Sequence, residues 1–443
     1  PLTVGSMTMG NRFAIHPMEG WDANSDGTPS EHTLRRWRQF GRSGAKLIWG
    51  GEAFAVQEDG RANPNQLFLN PEVDVKAALA QLLAEVEQGH GEIGQGKDDL
   101  VVGLQLTHSG RFAKPGAAAA PGIAAHHPIL DARMGITNDD VLLSDEELET
   151  IGANYVQLAK LAHEVGFSFV DVKCCHGYLL HELLGARTRP GPYGGSFDNR
   201  TRLFRQIVDS IRRECPGLEI AVRISIADVF PFSKNKQTGI GEPQGWDAEL
   251  PFEFGFGLNP DNPRELSLDE PFQFLSLLRS MGLTFVNLSL GSPYYCPHIQ
   301  RPAAFPPSDG YLPPEDPLTG VTKHLRVVRE CKQAFPDLTI VGSGYSYLQE
   351  QLPYVAQHEV RNGHVDFVGL GRMVLSYPEL PDDILNKRTL AKKKFCRTFS
   401  DCTTAPRHGL LSGCYPLDPY YQELPEASQV KDIKRKIRRE NNS

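Results

Sequence analysis

Eight short apolar runs, rich in β-branched residues, recur along the chain. Each leads into a polar elbow and then a stretch with helical spacing. The runs are Arg12–His16, Lys46–Gly50, Leu100–Leu106, Ser168–Lys173, Glu219–Ile224, Thr284–Leu290, Leu338–Val341 and Val365–Leu370. They are apolar throughout rather than alternating, which fits strands covered on both faces of a parallel sheet. The stretches between them read as helices. Ser144 to Glu147 has the pattern of a capping box, and Leu148, Ile151, Tyr155, Leu158 and Val165 then keep helical spacing. Phe204, Ile207, Val208 and Ile211 repeat the pattern, as does Arg326 to Phe335. Eight such units predict an α/β fold, a (β/α)8 TIM barrel rather than a doubly wound sheet.

The barrel is expected over residues 1–395, with residues 396–443 an extension packed on it. Two excursions break the rhythm. Gly89–Asp99 is Gly-rich and polar and reads as a loop. Ala227–Arg264 carries Gly, Pro and aromatic residues without a period and is expected to shape one wall of a pocket. The basic stretch Lys431–Arg439 reads as a solvated terminal helix.

Composition excludes several function classes. The net charge is −8, from 46 Lys+Arg against 54 Asp+Glu, which argues against a basic nucleic-acid face. No apolar run reaches the length of a membrane-spanning helix. Pro1 to Asn11 shows no charged stretch ahead of an apolar one, so no secretory leader is read there. The eight Cys are scattered through strands, helices and the tail rather than set out as a disulfide framework. A reducing cytoplasm is the expected compartment, and a homo-oligomer is left open.

Barrels carry their chemistry at the C-terminal ends of the strands. Those ends here hold Pro17, Met18 and Glu19; Gly51; Gln105 to Arg111; Lys173 to Tyr178; Arg223; Ser289; Ser343 and Gly344; and Gly371 and Arg372. Polar or small residues at all eight ends point to a site rather than to packing. The last two ends combine glycine-exposed backbone N–H groups with the fixed cation of Arg372, a combination suited to phosphate. Gly89 to Gly94 matches GxGxxG, but it follows a helical stretch and opens no helix. A dinucleotide fold needs the opposite context, so no Rossmann domain is expected.

Several stretches together resemble the Old Yellow Enzyme family of flavin-dependent ene-reductases. They are Asn11-Arg12-Phe13 to Pro17-Met18, Gln105 to Arg111, His176 to Glu182, Tyr193 to Arg200, Val222 to Ser225, and Gly369 to Arg372, in family order over about residues 2–415. The resemblance implies FMN at the barrel mouth and NAD(P)H as reductant. Pro17 and Met18 would face the flavin ring, Glu19 would lie near it, and Gly51 would leave room beneath it. Gln105 would meet the pyrimidine edge, and Arg223 would sit at N1/O2. Ser343, Gly344, Gly371 and Arg372 would hold the phosphate. His176 would grip a substrate oxygen and Tyr178 would protonate an alkene carbon.

Three departures from the family pattern stand out. Lys173 replaces the usual first His of the oxygen-binding pair. Glu19 replaces the usual Thr or Cys; it would make flavin reduction harder if ionised, donate a hydrogen bond if protonated, or turn away to pair with an Arg. Cys396, Cys402 and Cys414 resemble the cluster motif of the branch that includes dienoyl-CoA reductase and trimethylamine dehydrogenase, with Phe399 where a further Cys is usual. Cluster binding normally takes four thiolates. The motif therefore reads as a vestige, and no iron–sulfur cluster is expected unless Asp401 serves as a substitute ligand; with His408 the three Cys could instead hold a zinc. The expected reaction is reduction of a small unsaturated carbonyl or carboxyl compound. Its rivals are C–N oxidation, as in trimethylamine dehydrogenase, and a lyase or aldolase using Lys173 as a Schiff-base nucleophile.

Overall fold

The computed structural model describes residues 1–245 and 250–442. Residues 246–249, within the excursion Ala227–Arg264, lie outside the described residues. The barrel strands are β1 (Phe13–Ile15), β2 (Leu47–Ile48), β3 (Val101–Thr107), β4 (Phe169–Val172), β5 (Glu219–Ser225), β6 (Phe285–Ser289), β7 (Thr339–Gly342) and β8 (Phe367–Leu370). Each lies within or overlaps one of the expected runs. Parallel pairing passes from β1 to β2 through Ala14 and Leu47, continues strand by strand, and returns from β8 to β1 through Gly369 and Ala14. The sheet is therefore closed and has no edge.

Parallel neighbours require long crossovers, and helices supply them. These are Glu31–Gly41, Val75–Glu92, Asp145–Val165, Arg202–Glu214, Asp269–Ser280, Pro317–Ala334 and Leu352–Arg361. The box expected at Ser144 is present: its side chain accepts from Glu147 N, and Glu147 reaches back to Ser144 N. The helix Val75–Glu92 corrects the reading of Gly89–Asp99 as a loop from its first residue. Glycine survives in the last helical turn because two helices touch there. A Cβ on Gly89 would strike the Arg38 carbonyl, and one on Gly41 would strike that of Val86.

Inside the barrel, Trp49 directly after β2 forms one layer with Phe169, Phe285 and Phe367 of β4, β6 and β8. Trp49 meets Phe169 at 5.2 Å and Phe285 at 4.6 Å between ring centroids. Such layers from alternate strands are how a barrel of this size fills. A hairpin of Leu2–Val4 and Met7–Met9 packs Val4, Met7 and Met9 onto this layer and closes the N-terminal end.

The excursion after β5 holds a small hairpin, Phe232–Lys234 with Gly241–Pro243. Its aromatic residues Phe230 and Phe252 are buried with Ile129 and Leu258 in a separate cluster. The C-terminal extension folds over the opposite end of the barrel from the Met hairpin and ends in the helix Glu426–Asn442. Among the described residues, no helix is long and apolar enough to cross a membrane.

Candidate active site

The C-terminal mouth opens into a cleft of about 1330 Å³ counted out to solvent. Pro17, Met18, Glu19, Gln105, Lys173, His176, Tyr178, Arg223, Ser343, Gly344, Gly371 and Arg372 all line it. Gly51 does not. Its backbone turns at φ 52°, and a Cβ there would enter the Trp37 ring, so this glycine serves helix packing; Ala53 lines the cleft instead. The excursion Ala227–Arg264 also contributes no wall among its described residues. That wall comes from Pro293 to Pro302 after β6 and from Cys402, Thr403, Pro406, Arg407 and Ser412 of the extension.

The segment after β4 is held by strained backbone. His176 lies at φ 68° and Gly177 at φ 79°. A left-handed His costs on the order of 1–3 kcal/mol and persists where its surroundings fix it. Here His176 N donates to Ser225 Oγ at 3.0 Å, and Ser292 Oγ donates to the His176 carbonyl at 2.8 Å. The turn puts His176 and Tyr178 on the same cleft. Burial, then Arg223 and Lys173, hold the His176 imidazole well below its ordinary pKa, so it is neutral. Its Nε2 lies 3.1 Å from Ser289 Oγ and 3.2 Å from Gln300 Nε2.

Glu19 does not turn away toward an arginine. Its Oε1 accepts the Tyr178 hydroxyl at 2.5 Å and lies 3.6 Å from Lys173 Nζ. Lys173 Nζ stands 3.7 Å over the Tyr178 ring, and the Tyr294 hydroxyl is 2.9 Å from Tyr178 Oη. Burial lowers the Lys173 pKa, and the Glu19 charge works against that. Burial and Glu19 together raise Tyr178 well above an ordinary phenol, so it stays protonated.

Deeper in the barrel, Asp171 accepts from Gln105 Nε2 at 2.6 Å, Trp49 Nε1 at 2.7 Å and Arg223 N at 2.6 Å. The Gln105 carbonyl oxygen is thereby turned away from Asp171. His16 Nδ1 lies 3.1 Å from Asn287 Nδ2, and its Nε2 is 3.1 Å from Ser343 Oγ. Ser343 Oγ donates to the Leu288 carbonyl at 2.7 Å, so His16 must donate through Nε2 and accept at Nδ1. Burial and Arg223 keep this imidazole neutral, which that arrangement requires.

Of the arginines that line the cleft, two have a buried nitrogen with no hydrogen-bond or ion-pair partner among the described residues, Arg223 Nε within the barrel and Arg372 Nη1 at the rim, whereas Arg407 Nε pairs with Asp309. Buried donors in native structures are rarely left so. A ligand with an electron-rich edge at one end and a phosphate at the other would satisfy both, and FMN has that form. The strand ends at the rim fit a phosphate: Gly344 turns at φ 95° against the His324 ring, a kinked 3-10 stretch (Tyr345–Gln351) follows β7, and a single helical turn (Met373–Ser376) follows β8.

Cys396, Cys402 and Cys414 share a small separate cleft with Phe399 and Asp401. Asp401 is committed to an ion pair with Lys434, whose Nζ also lies 5.6 Å from the Phe399 ring centroid. His408 is exposed. Neither replacement ligand therefore completes a set. Among the described residues, the group close enough to share an ion is His358, Glu359 and His364, outside the barrel, and there Glu359 already pairs with Arg329. Glu182 likewise has a structural task, pairing with Arg111 at 2.6 Å.

The sequence reading missed His16, Tyr294, Gln300, Arg301 and Arg407, all of which line the cleft. His16 carried a signal, since a polar residue closing an apolar run sits at a strand's C-terminal end. The others lie in a loop and a tail without a motif.

The NADH:flavin oxidoreductase / NADH oxidase family matches residues 1–240. The NADPH dehydrogenase of Bacillus subtilis strain 168 is 30% identical over 234 residues, 52% of this chain and 63% of that protein. The match thus spans less than two thirds of that relative's length. Morphinone reductase in complex with tetrahydroNAD shares the fold with a TM-score of 0.57 at 20% identity, covering 88% of this chain and 90% of that one. Histamine dehydrogenase from Rhizobium sp. 4-9 aligns with a TM-score of 0.65 at 18% identity, covering 94% of this chain and 51% of that one.

Proposed function

The chain belongs to the NADH:flavin oxidoreductase / NADH oxidase family, and on that premise we propose that it uses FMN and NAD(P)H to reduce an electron-poor C=C bond in an α,β-unsaturated carbonyl or carboxyl compound. The observation that carries this reading is a protonated Tyr178 beside a neutral His176 on one wall of the cleft.

FMN bound in the cleft would supply the hydride chemistry between NAD(P)H and the substrate's β-carbon. Gln105 and the permanent cation of Arg223 would hold the ring, with Arg223 offsetting negative charge on it. Ser343, Gly344, Gly371 and Arg372 would hold the phosphate. His176 and Lys173 supply donors to the substrate oxygen, so that charge developing there meets groups already in place. Tyr178 gives its proton to the α-carbon. Lys173 lies beside Glu19, so a bound flavin would meet that carboxylate as half of an ion pair rather than as a lone anion.

The test is an anaerobic titration of the purified protein, followed by visible absorbance. NAD(P)H should bleach the flavin bands, and an enal, enone or unsaturated acid should restore them. Bands that ignore NAD(P)H but bleach with amines would replace this reading with C–N oxidation. Colourless protein that takes up no FMN would overturn both.

A further inference from the structure

The proton that Tyr178 gives up must be replaced each turnover, and the hydrogen bonds around it have a direction. Glu19, paired with Lys173, is an acceptor, so Tyr178 donates to it. Tyr178 has one hydrogen. The 2.9 Å contact with Tyr294 must therefore be donated by Tyr294. The chain of donors runs from Tyr294 to Tyr178 to Glu19.

Tyr294 is built to stay in that position. Its ring stacks on Phe112 with centroids 4.0 Å apart and planes 5° from parallel. It is half-buried and lines two clefts: the main one, and a second beside Phe112, Lys114, Met134 and Arg407. It thus stands between Tyr178 and the outside.

We propose that Tyr294 is a proton relay that reprotonates Tyr178 from the second cleft in the same step in which Tyr178 protonates the substrate. The proposal rests on the ene-reductase reading above. The Tyr178 O–H bond breaks as a C–H bond forms at the α-carbon from the enolate electron pair. The Tyr294 O–H bond breaks as the Tyr178 O–H bond reforms. Water then returns a proton to Tyr294.

The coupling has an electrostatic cause. A phenolate on Tyr178 would be buried against the Glu19 carboxylate, and both features hold it off. Moving the charge to Tyr294 carries it toward the Arg407 guanidinium, 5.8 Å from that ring, and toward solvent. Burial raises the Tyr294 pKa, and of the charged and titratable groups that face it (Glu19, Tyr178, Arg301 and Arg407) Glu19 adds to that while the two arginines work against it. Lys173 bears on it only through Tyr178 and Glu19.

The test uses NAD(P)H-reduced holoprotein and follows its reoxidation by an enone. In the wild type the rate should be flat from about pH 6 to about pH 8.5, because both tyrosines stay protonated there. In Tyr294→Phe the lost proton must come from dilute acid in solution, so the rate should fall ~10-fold or more and decline with rising pH. A wild-type rate and flat profile in Tyr294→Phe would overturn the relay. Should that variant fail to hold flavin, the wild type alone decides. Its rate plotted against the deuterium fraction of the solvent should curve, as two protons moving together require, and a straight line would overturn the relay. Failure of the underlying reading is distinct, because then no enone reoxidises the wild type at all.

Discussion

Asp171 shows how one side chain sets a whole site. It is fully buried in β4, accepts three hydrogen bonds, and orients Gln105 toward the place where the flavin edge would lie. Burial pushes its pKa from the usual 3.8 up to about 6, against the pull of those donors. Between these values the folded protein holds more protons than the unfolded chain. The contribution of Asp171 to stability is therefore present below pH ~4 and is lost as pH rises through ~6. Asp171→Asn has no such titration. The difference in unfolding free energy, wild type minus variant, should shrink by about 2 kcal/mol from pH 4 to pH 6.5. Denaturant melts at several pH values measure it. A difference that is constant or grows would show that the carboxylate is not held up by burial. Loss of its acceptors should also loosen Gln105, so weaker FMN binding is expected in the same variant.

At the scale of elements, the strands were legible because both faces of each are buried. A run such as Leu100–Leu106 has no other soluble use, and the helices between announced themselves through period and cap. The Ser144 box can be tested directly. Ser144→Ala removes the acceptor for Glu147 N and should cost about 1 kcal/mol. That should appear as a lower denaturation midpoint with the FMN site undisturbed. A shift several times larger would mean that the helix start also holds the neighbouring turn. Legibility failed where the deciding contact is far away in sequence. Gly89 looked like a loop residue, yet its role is set by the Arg38 carbonyl of another helix. Gly51 looked like part of the site, yet its neighbour is Trp37. Tyr294 has no local pattern at all; only the fold brings it to Tyr178. The twelve candidate residues that line the cleft all lie in or shortly after a barrel strand, where position along the chain fixes position in space.

For the whole molecule, the extension decides how the site is closed. Residues 402–412 supply part of the cleft wall, including Arg407 and Thr403, the latter accepting from Arg301 Nη1 at 2.6 Å. The loop after β6 anchors the extension through Ser400, Thr404 and Arg407, and a further anchor lies farther out, on the helix Glu31–Gly41. Arg35 Nη2 donates to Asp418 Oδ2 at 2.9 Å and Oδ1 at 3.1 Å, and its guanidinium stacks over Tyr420, 4.1 Å from the ring centroid. A partly exposed ion pair is worth ~0.2–1 kcal/mol, and an exposed cation–π contact adds ~0.5–1 kcal/mol. Arg35→Ala should therefore weaken closure by ~1–2 kcal/mol, or roughly tenfold in its equilibrium. Arg35 touches nothing in the cleft, so its effect on bound FMN would have to pass through the extension. Flavin fluorescence after dilution should show FMN leaving about tenfold faster than from the wild type, while the unfolding midpoint of the barrel moves little, since the closed sheet and its Trp49 layer are untouched. An unchanged release rate would mean that the cleft is complete without the extension, and that its contacts with the barrel serve stability alone.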